Sequence, residues 1–176
     1  TQKLIKKFSG SQEFINGQEK FCLWISDENK DFAFDNCRIK DKIEKCQNHR
    51  ENSDREATKK LASIPYKFAE IRFKNSNSII IPRVSSENRK YIPCGFLNAD
   101  SVISDSAQAI YDAEPWIFGV ISSLMHMVWM RTVAGRLKTD YRYSSALVYN
   151  TFPFPNISQK QKDEITELVF AILDER

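Results

Sequence analysis

"PWIFGVISSLMHMVWMRTVAG", residues 115–135, is the stretch whose reading decides the fold. Ile117, Val120, Ile121, Leu124, Met125, Val128 and Trp129 recur at helical spacing and make a wide apolar face. Pro115 suits a first helical turn, and Gly135 suits a left-handed cap that ends the helix. A helix over 115–134 is therefore expected as the element on which the rest of the chain packs. Ser122, Ser123 and His126 share its spacing and could be read as a nucleophile and base. They fall on the packing face, so a satisfied, semi-buried histidine is the expected state.

Outward from the helix, "GRLKTDYRYSSALVYNTFPFP" (135–155) mixes cations with aromatic residues. Between 131 and 143, Arg131, Arg136, Lys138 and Arg142 stand against the single carboxylate Asp140. Cations also suit the negative end of the preceding helix. The mixture admits two readings: a surface loop with half-buried tyrosines, or a grip on nucleic acid by cations and tyrosine hydroxyls. "SSALVYNTF" is expected as a short strand. Ser158 followed by Gln161 has capping-box spacing, which predicts a last helix with a stripe of Ile165, Leu168, Val169 and Ile172.

Upstream, "EFINGQEKFCLWI" sets Asn16-Gly17 between two apolar-alternating arms, the pattern of a tight hairpin over residues 1–25. Residues 36–63 have helical period at Ile39, Ile43 and Cys46, with mixed charge of the kind found on a solvated face. Pro65 ends that pattern. "KFAEIRF", "SIIIPRV" and "KYIPCGFL" then read as strands, with Pro82 and Pro93 restricted to edges or ends. Between them "RVSSENRKY" (83–91) is expected as a polar hairpin tip presented to a partner.

The totals bound the function. With 41% hydrophobic residues the chain is globular, and a net charge of +3 from 26 cations and 23 anions makes placement of charge decisive. Four cysteines are too few for a disulfide scaffold and fit a reducing cytoplasm. Cys22, Cys37, Cys46 and His49 lack the close pairs of a zinc knuckle. The longest apolar tract, Trp116–Trp129, is too short to cross a bilayer. Only five glycines are present and none forms a phosphate or cofactor loop. The chain opens at Thr1 and is expected to be an excerpt of something longer. The expected fold is α+β: a small antiparallel or mixed sheet with hairpins, packed on the long core helix and closed by a C-terminal helix.

Four ordered blocks, "FSGSQEFINGQEKFCLWI", "IIIPRVSSENRKYIPCGFL", "FGVISSLMHMVWMRTVAGRLKTDYRYSSALVYNTFPFP" and the closing helix, resemble one family. They are similar to the target-recognition and C-terminal region of MmeI-like bacterial DNA methyltransferases, the single-chain type IIL/IIG restriction-modification enzymes. The resemblance implies a target-recognition domain over 1–155 and a C-terminal helical segment over 156–176. It implies a parent enzyme that transfers a methyl group from S-adenosylmethionine to a base, most simply adenine N6. Cofactor loop and catalytic motif would lie in an upstream methyltransferase domain of the same chain, leaving this part without cofactor, metal or catalytic residue. Its partner would be double-stranded DNA, with no membrane, in the cytoplasm. The resemblance assigns DNA contacts to Arg83, Ser85, Ser86, Asn88, Arg89, Lys90 and Tyr91 in one loop and to Arg136, Lys138, Tyr141, Arg142 and Tyr143 in another patch. Residues that define the target are expected in 66–78 and 98–112. Two other classes stay open: a protein-interaction module docking a partner subunit through an exposed "TFPFP", and a single-stranded RNA binder that stacks bases on tyrosines.

Overall fold

Two separate apolar clusters organise the chain, seen in a computed structural model that describes residues 2–175. The N-terminal part runs β1 (Ile5–Ser9), α1 (Ser11–Asn16), β2 (Phe21–Leu23), α2 (Lys30–Asp35), α3 (Cys37–Glu51) and α4 (Glu56–Lys60). The remainder runs β3 (Ser78–Pro82), β4 (Val84–Ser85), β5 (Gly95–Leu97), β6 (Ser101–Ile103) and β7 (Ala107–Tyr111). Then come α5 (Pro115–Ile121), α6 (Leu124–Val133), β8 (Gly135–Leu137), β9 (Asp140–Arg142) and α7 (Gln159–Asp174). The smaller unit holds residues up to Lys6 with Phe21–Phe73, and the larger holds Lys7–Lys20 with Lys74 onward.

In the smaller unit Leu4, Ile25, Ala33, Ile39 and Ile43 form the core. The Asn36 side chain accepts from the Arg38 and Ile39 amides and starts α3. That helix buries Ile39 and Ile43 and leaves its charged face in water, as its period predicts. Exposed pairs on that face include Lys45–Asp41 (2.8 Å) and Lys40–Glu44 (3.9 Å). Arg50 is different: its guanidinium donates to the carbonyls of Leu61 and Ile64 (both 2.9 Å) and Lys67 (2.7 Å), tying the chain after α4 to α3. "KFAEIRF" forms no strand. Phe68 and Phe73, five positions apart, both pack on Trp24 (5.4 and 5.0 Å between centroids), a spacing that alternation cannot satisfy.

In the larger unit β3 is the centre of an antiparallel sheet ordered β5-β3-β7, and all five of its residues are buried. Pro82 sits at its end, opposite Ala107, where a missing donor is tolerated. The second part of β1 pairs in parallel with β6, from Lys7↔Ser101 to Ser9↔Ile103. The third sheet, β4-β9-β8, is antiparallel. The fold class is the expected α+β.

Further expectations need correction. Asn16-Gly17 makes no tight hairpin turn: Gly17 takes φ 63° as the left-handed cap of α1, a conformation that glycine serves equally well in a hairpin and at a helix end. The 115–134 helix is broken into α5 and α6 with a 58° bend. At the break Ser122 donates its hydroxyl to the Phe118 carbonyl and Ser123 accepts the His126 amide, so two small polar residues end one helix and cap the next. Gly135 is in β8 and not in a left-handed cap, because the chain leaves α6 through an extended Ala134. "SSALVYNTF" contains a π-helical turn over Ser145–Tyr149 in place of a strand. One side chain per turn, Val148, is buried there, and its carbonyl accepts from the Trp129 indole (3.2 Å).

The last helix begins as expected, with the Ser158–Gln161 capping box formed. Its buried stripe is narrower than predicted: Ile165, Val169 and Leu173 meet the core, while Leu168 and Ile172 are exposed. Among the described residues no three His, Cys, Asp or Glu side chains come together as a metal site. No single described helix is long and apolar enough to cross a membrane.

Candidate nucleic-acid interface

Arg83 sits in the short link between β3 and β4, held by backbone on both sides. Its amide donates to the Ser106 carbonyl (3.0 Å), and its own carbonyl accepts from the Tyr143 amide (2.7 Å). The β4–β9 ladder sets Val84 opposite Arg142 and Ser85 opposite Tyr141. Two residues distant in sequence, Arg83 and Arg142, thereby line one open groove of about 820 Å³. Its other residues come from α1 and its flanks (Phe8, Ser11, Gln12, Glu13, Ile15, Asn16, Lys20), from the loop Ser104–Ser106, and from Val84 and Leu137.

A hydroxyl cluster fixes the floor of this groove. The Ser11 amide donates to Ser106 Oγ (2.9 Å), the Ser11 hydroxyl donates to the Ser106 carbonyl, and the Ser104 and Ser106 hydroxyls bond at 2.7 Å. The close approach requires Gly10: a Cβ there would lie 2.5 Å from both Ser104 Oγ and Ser106 Oγ. The Glu13 carboxylate accepts from the Gly10 amide (3.0 Å) and from Lys20 (3.3 Å). Backbone donors, with Lys20, hold its carboxyl below the ordinary range. The groove therefore offers guanidinium and ammonium donors, hydroxyls and amides, and the exposed carboxylate Asp105. This range of donors and acceptors can meet both phosphate oxygens and base edges.

The structure brings the two predicted patches together. Beyond the β4–β9 ladder, Arg136 donates to Glu87 (3.0 Å) and to the Thr139 carbonyl (2.6 Å), with its guanidinium 4.0 Å above the Tyr141 ring. Arg131 reaches the Arg89 carbonyl (3.4 Å). Ser86 closes a turn, its carbonyl accepting from the Arg89 amide and its hydroxyl from the Asn88 amide. Asn88, Arg89, Lys90 and Tyr91 are exposed on that turn. Lys138, also exposed, takes φ 57° at the tip of the β8–β9 hairpin.

Three of the predicted contacts are not on the surface. Tyr141 and Tyr143 are 7% and 3% exposed, and Ser85 is 8% exposed. Strand alternation explains the tyrosines: Arg142 faces outward, so its neighbours on either side face the core. In the 131–143 patch the exposed predicted contacts are thus the cations, with Tyr141 and Tyr143 beneath them. In "TFPFP" Thr151, Pro153 and Pro155 are exposed, but the first aromatic is not. Phe152 is buried against His126 (4.3 Å), Trp129 (6.1 Å) and Phe154 (5.1 Å), so its ring belongs to the core. The groove residues of α1 lie in "SGSQEFING", where apolar alternation points to a strand arm and turn and the structure has a helix. Of the two stretches expected to define the target, 98–112 contributes Ser104–Ser106 to the groove and 66–78 contributes nothing to it.

The smaller unit has a pocket of about 190 Å³ walled by Leu23, Ile25, Ile43, Pro65 and Phe68, with Lys42, Arg50 and Lys67 in its lining. It is smaller than the roughly 300 Å³ at which ligand pockets begin, and its cations disfavour a sulfonium. S-adenosylmethionine does not fit these residues.

Comparison with known proteins decides the family. The model of the MmeI target recognition domain matches residues 1–156. The chain belongs to the MmeI target-recognition-domain family. It is 48% identical over 171 residues to DNA methyltransferase A of Bacillus subtilis (strain 168), covering 97% of this chain and 20% of that protein. It also superposes on the structure of the type IIL restriction-modification enzyme MmeI in complex with DNA, with a TM-score of 0.92 and 41% identity. That match covers 98% of this recognition domain and 23% of the MmeI chain. The domain thus spans about a fifth of the length of these relatives.

Proposed function

We propose that this recognition domain grips double-stranded DNA through the Arg83–Arg142 groove and sets the duplex for a methyltransferase domain of the same polypeptide. The observation that carries the reading is the joining of Arg83 and Arg142 on one groove wall by the β4–β9 ladder. Cations fix the register on phosphates, and the mixed polar floor meets base edges. The chemistry assigned to the parent is transfer of a methyl group from S-adenosylmethionine to adenine N6, with the cofactor held by the catalytic domain, in the cytoplasm. A stacked adenine must leave the helix to react, at a cost of about a few kcal/mol. Binding energy from the recognition domain offsets that cost.

The test uses the full-length protein that carries this chain and a random-sequence duplex of about 40 base pairs, long enough to hold several helical turns. Affinity should fall steeply as salt rises, by roughly 0.9 log units per decade of salt for each phosphate neutralised. Arg83→Ala with Arg142→Ala should weaken binding at low salt and flatten that slope. Unchanged affinity and slope would sink the assignment of the groove.

A further inference from the structure

We propose that His126 and Tyr143 form a buried strut that positions the two groove arginines, which makes both of them positioning residues for DNA binding. The proposal rests on the reading of the groove given above. His126 is fully buried on α6 and its Nε2 lies 3.0 Å from the Tyr143 hydroxyl. Its Nδ1 is also buried and has no hydrogen-bond partner. The Nε2–hydroxyl hydrogen bond is thus the polar tie of the imidazole ring, and one bond satisfies both buried groups at that end. His126 Nε2 and the Tyr143 hydroxyl share this bond, and the imidazole ring is held edge-on by Phe152.

Tyr143 is the point where side-chain and backbone constraints meet. Its side chain is pinned to α6 through His126, and its amide donates to the Arg83 carbonyl at 2.7 Å. Arg142 is the adjacent residue, paired with Val84, which itself follows Arg83. A shift of the Tyr143 ring is thus passed directly to both arginines, with no flexible segment between. Directional hydrogen bonding fixes position more tightly than apolar packing, which tolerates sliding of a ring among methyl groups. The motif accounts for a hydrogen-bonded histidine in an otherwise apolar core, where a leucine would fill space without an orphaned nitrogen.

The experiment measures binding of the same random-sequence duplex by the full-length protein at a temperature well below melting of every variant. Tyr143→Phe keeps the ring and removes only the hydroxyl, and should weaken binding about three- to tenfold. His126→Leu should do the same. His126→Gln carries an amide N–H that can reach the tyrosine oxygen, and should restore most of the affinity. In a protein already carrying Arg83→Ala and Arg142→Ala, Tyr143→Phe should weaken binding no further. A merely structural role would lower the melting temperature and leave affinity of the folded variants unchanged, and that result overturns the proposal. If His126→Leu does not fold, Tyr143→Phe and His126→Gln decide the matter. Undiminished binding by the arginine double variant would instead overturn the groove itself, a separate failure.

Discussion

Arg50 is a cation whose charge matters less than its shape. Three carbonyls from the segment after α4 converge on one planar guanidinium, which has donors in fixed directions to meet them. Lysine keeps the charge but cannot hold three acceptors in a plane, so Arg50→Lys should destabilise the domain by about 2–3 kcal/mol in denaturant melts. A loss below about 0.5 kcal/mol would show that water replaces the lost donors without penalty. His126 gives a second prediction at this scale. Burial pushes its pKa down from 6.5 to about 4, so the folded protein resists a proton that the unfolded chain accepts. The unfolded state then binds more protons between those values, and stability is full above pH 6.5 and lost as pH falls through about 4. The loss should approach about 3 kcal/mol from this residue, and His126→Gln should flatten the stability–pH curve over that window. A wild-type curve no steeper than the variant's would refute it.

At the scale of elements, α5 and α7 pack closely at Gly119. A Cβ there would lie 2.6 Å from Ile165 Cγ2 and 3.0 Å from Val169 Cγ2. Both obstacles are methyl groups of β-branched residues with stiff χ1 angles, so neither swings aside cheaply. Alanine in place of glycine inside a helix ordinarily stabilises by about 1 kcal/mol. Here Gly119→Ala should reverse that sign and destabilise by about 1–2 kcal/mol, and a raised melting temperature would contradict the contact. Such a contact was invisible in the sequence, which showed the two apolar periodicities but not how close the helices come. What was legible had local causes: the helical period at Ile39, Ile43 and Cys46, the Ser158 end of the last helix, the β-branched run of β3, and the cation-rich stretches 83–91 and 131–143. What was not legible depended on remote partners. The 58° break after Ile121 hides in an unbroken apolar period, because Ser122 and Ser123 are ordinary in a helix until their hydroxyls find backbone partners. Tyr141 and Tyr143 looked like contacts because cations surround them, and only the pairing of β9 with β4 shows which residues face inward. The groove needed α1, a loop near 105 and β9 together, and no linear motif spells that out.

At the scale of the molecule, binding to a polyanion depends on where unpaired cations stand, and the net charge of +3 says little about that. Around α3 and α4 carboxylates alternate with lysines and several pair off, at 2.8 Å for Lys45–Asp41 and 3.9 Å for Lys40–Glu44. Beside the groove one ion pair involves a predicted contact. Glu87 holds Arg136 at 3.0 Å, with both side chains about half exposed. An exposed pair of this kind contributes no more than about 1 kcal/mol to stability, so removing the carboxylate should hardly move the melting temperature. Its effect on DNA should be larger. Glu87→Gln frees a guanidinium that Tyr141 already supports from below, and one further phosphate contact steepens the salt dependence by about 0.9. In the full-length protein the variant should bind a random-sequence duplex about threefold more tightly at 50 mM salt than wild type, with the advantage gone near 200 mM. A gain that persists at high salt would mean a contact other than phosphate. No gain at either salt would place Arg136 away from the DNA, leaving Glu87 as a brace for the hairpin and the groove arginines as the main anchors.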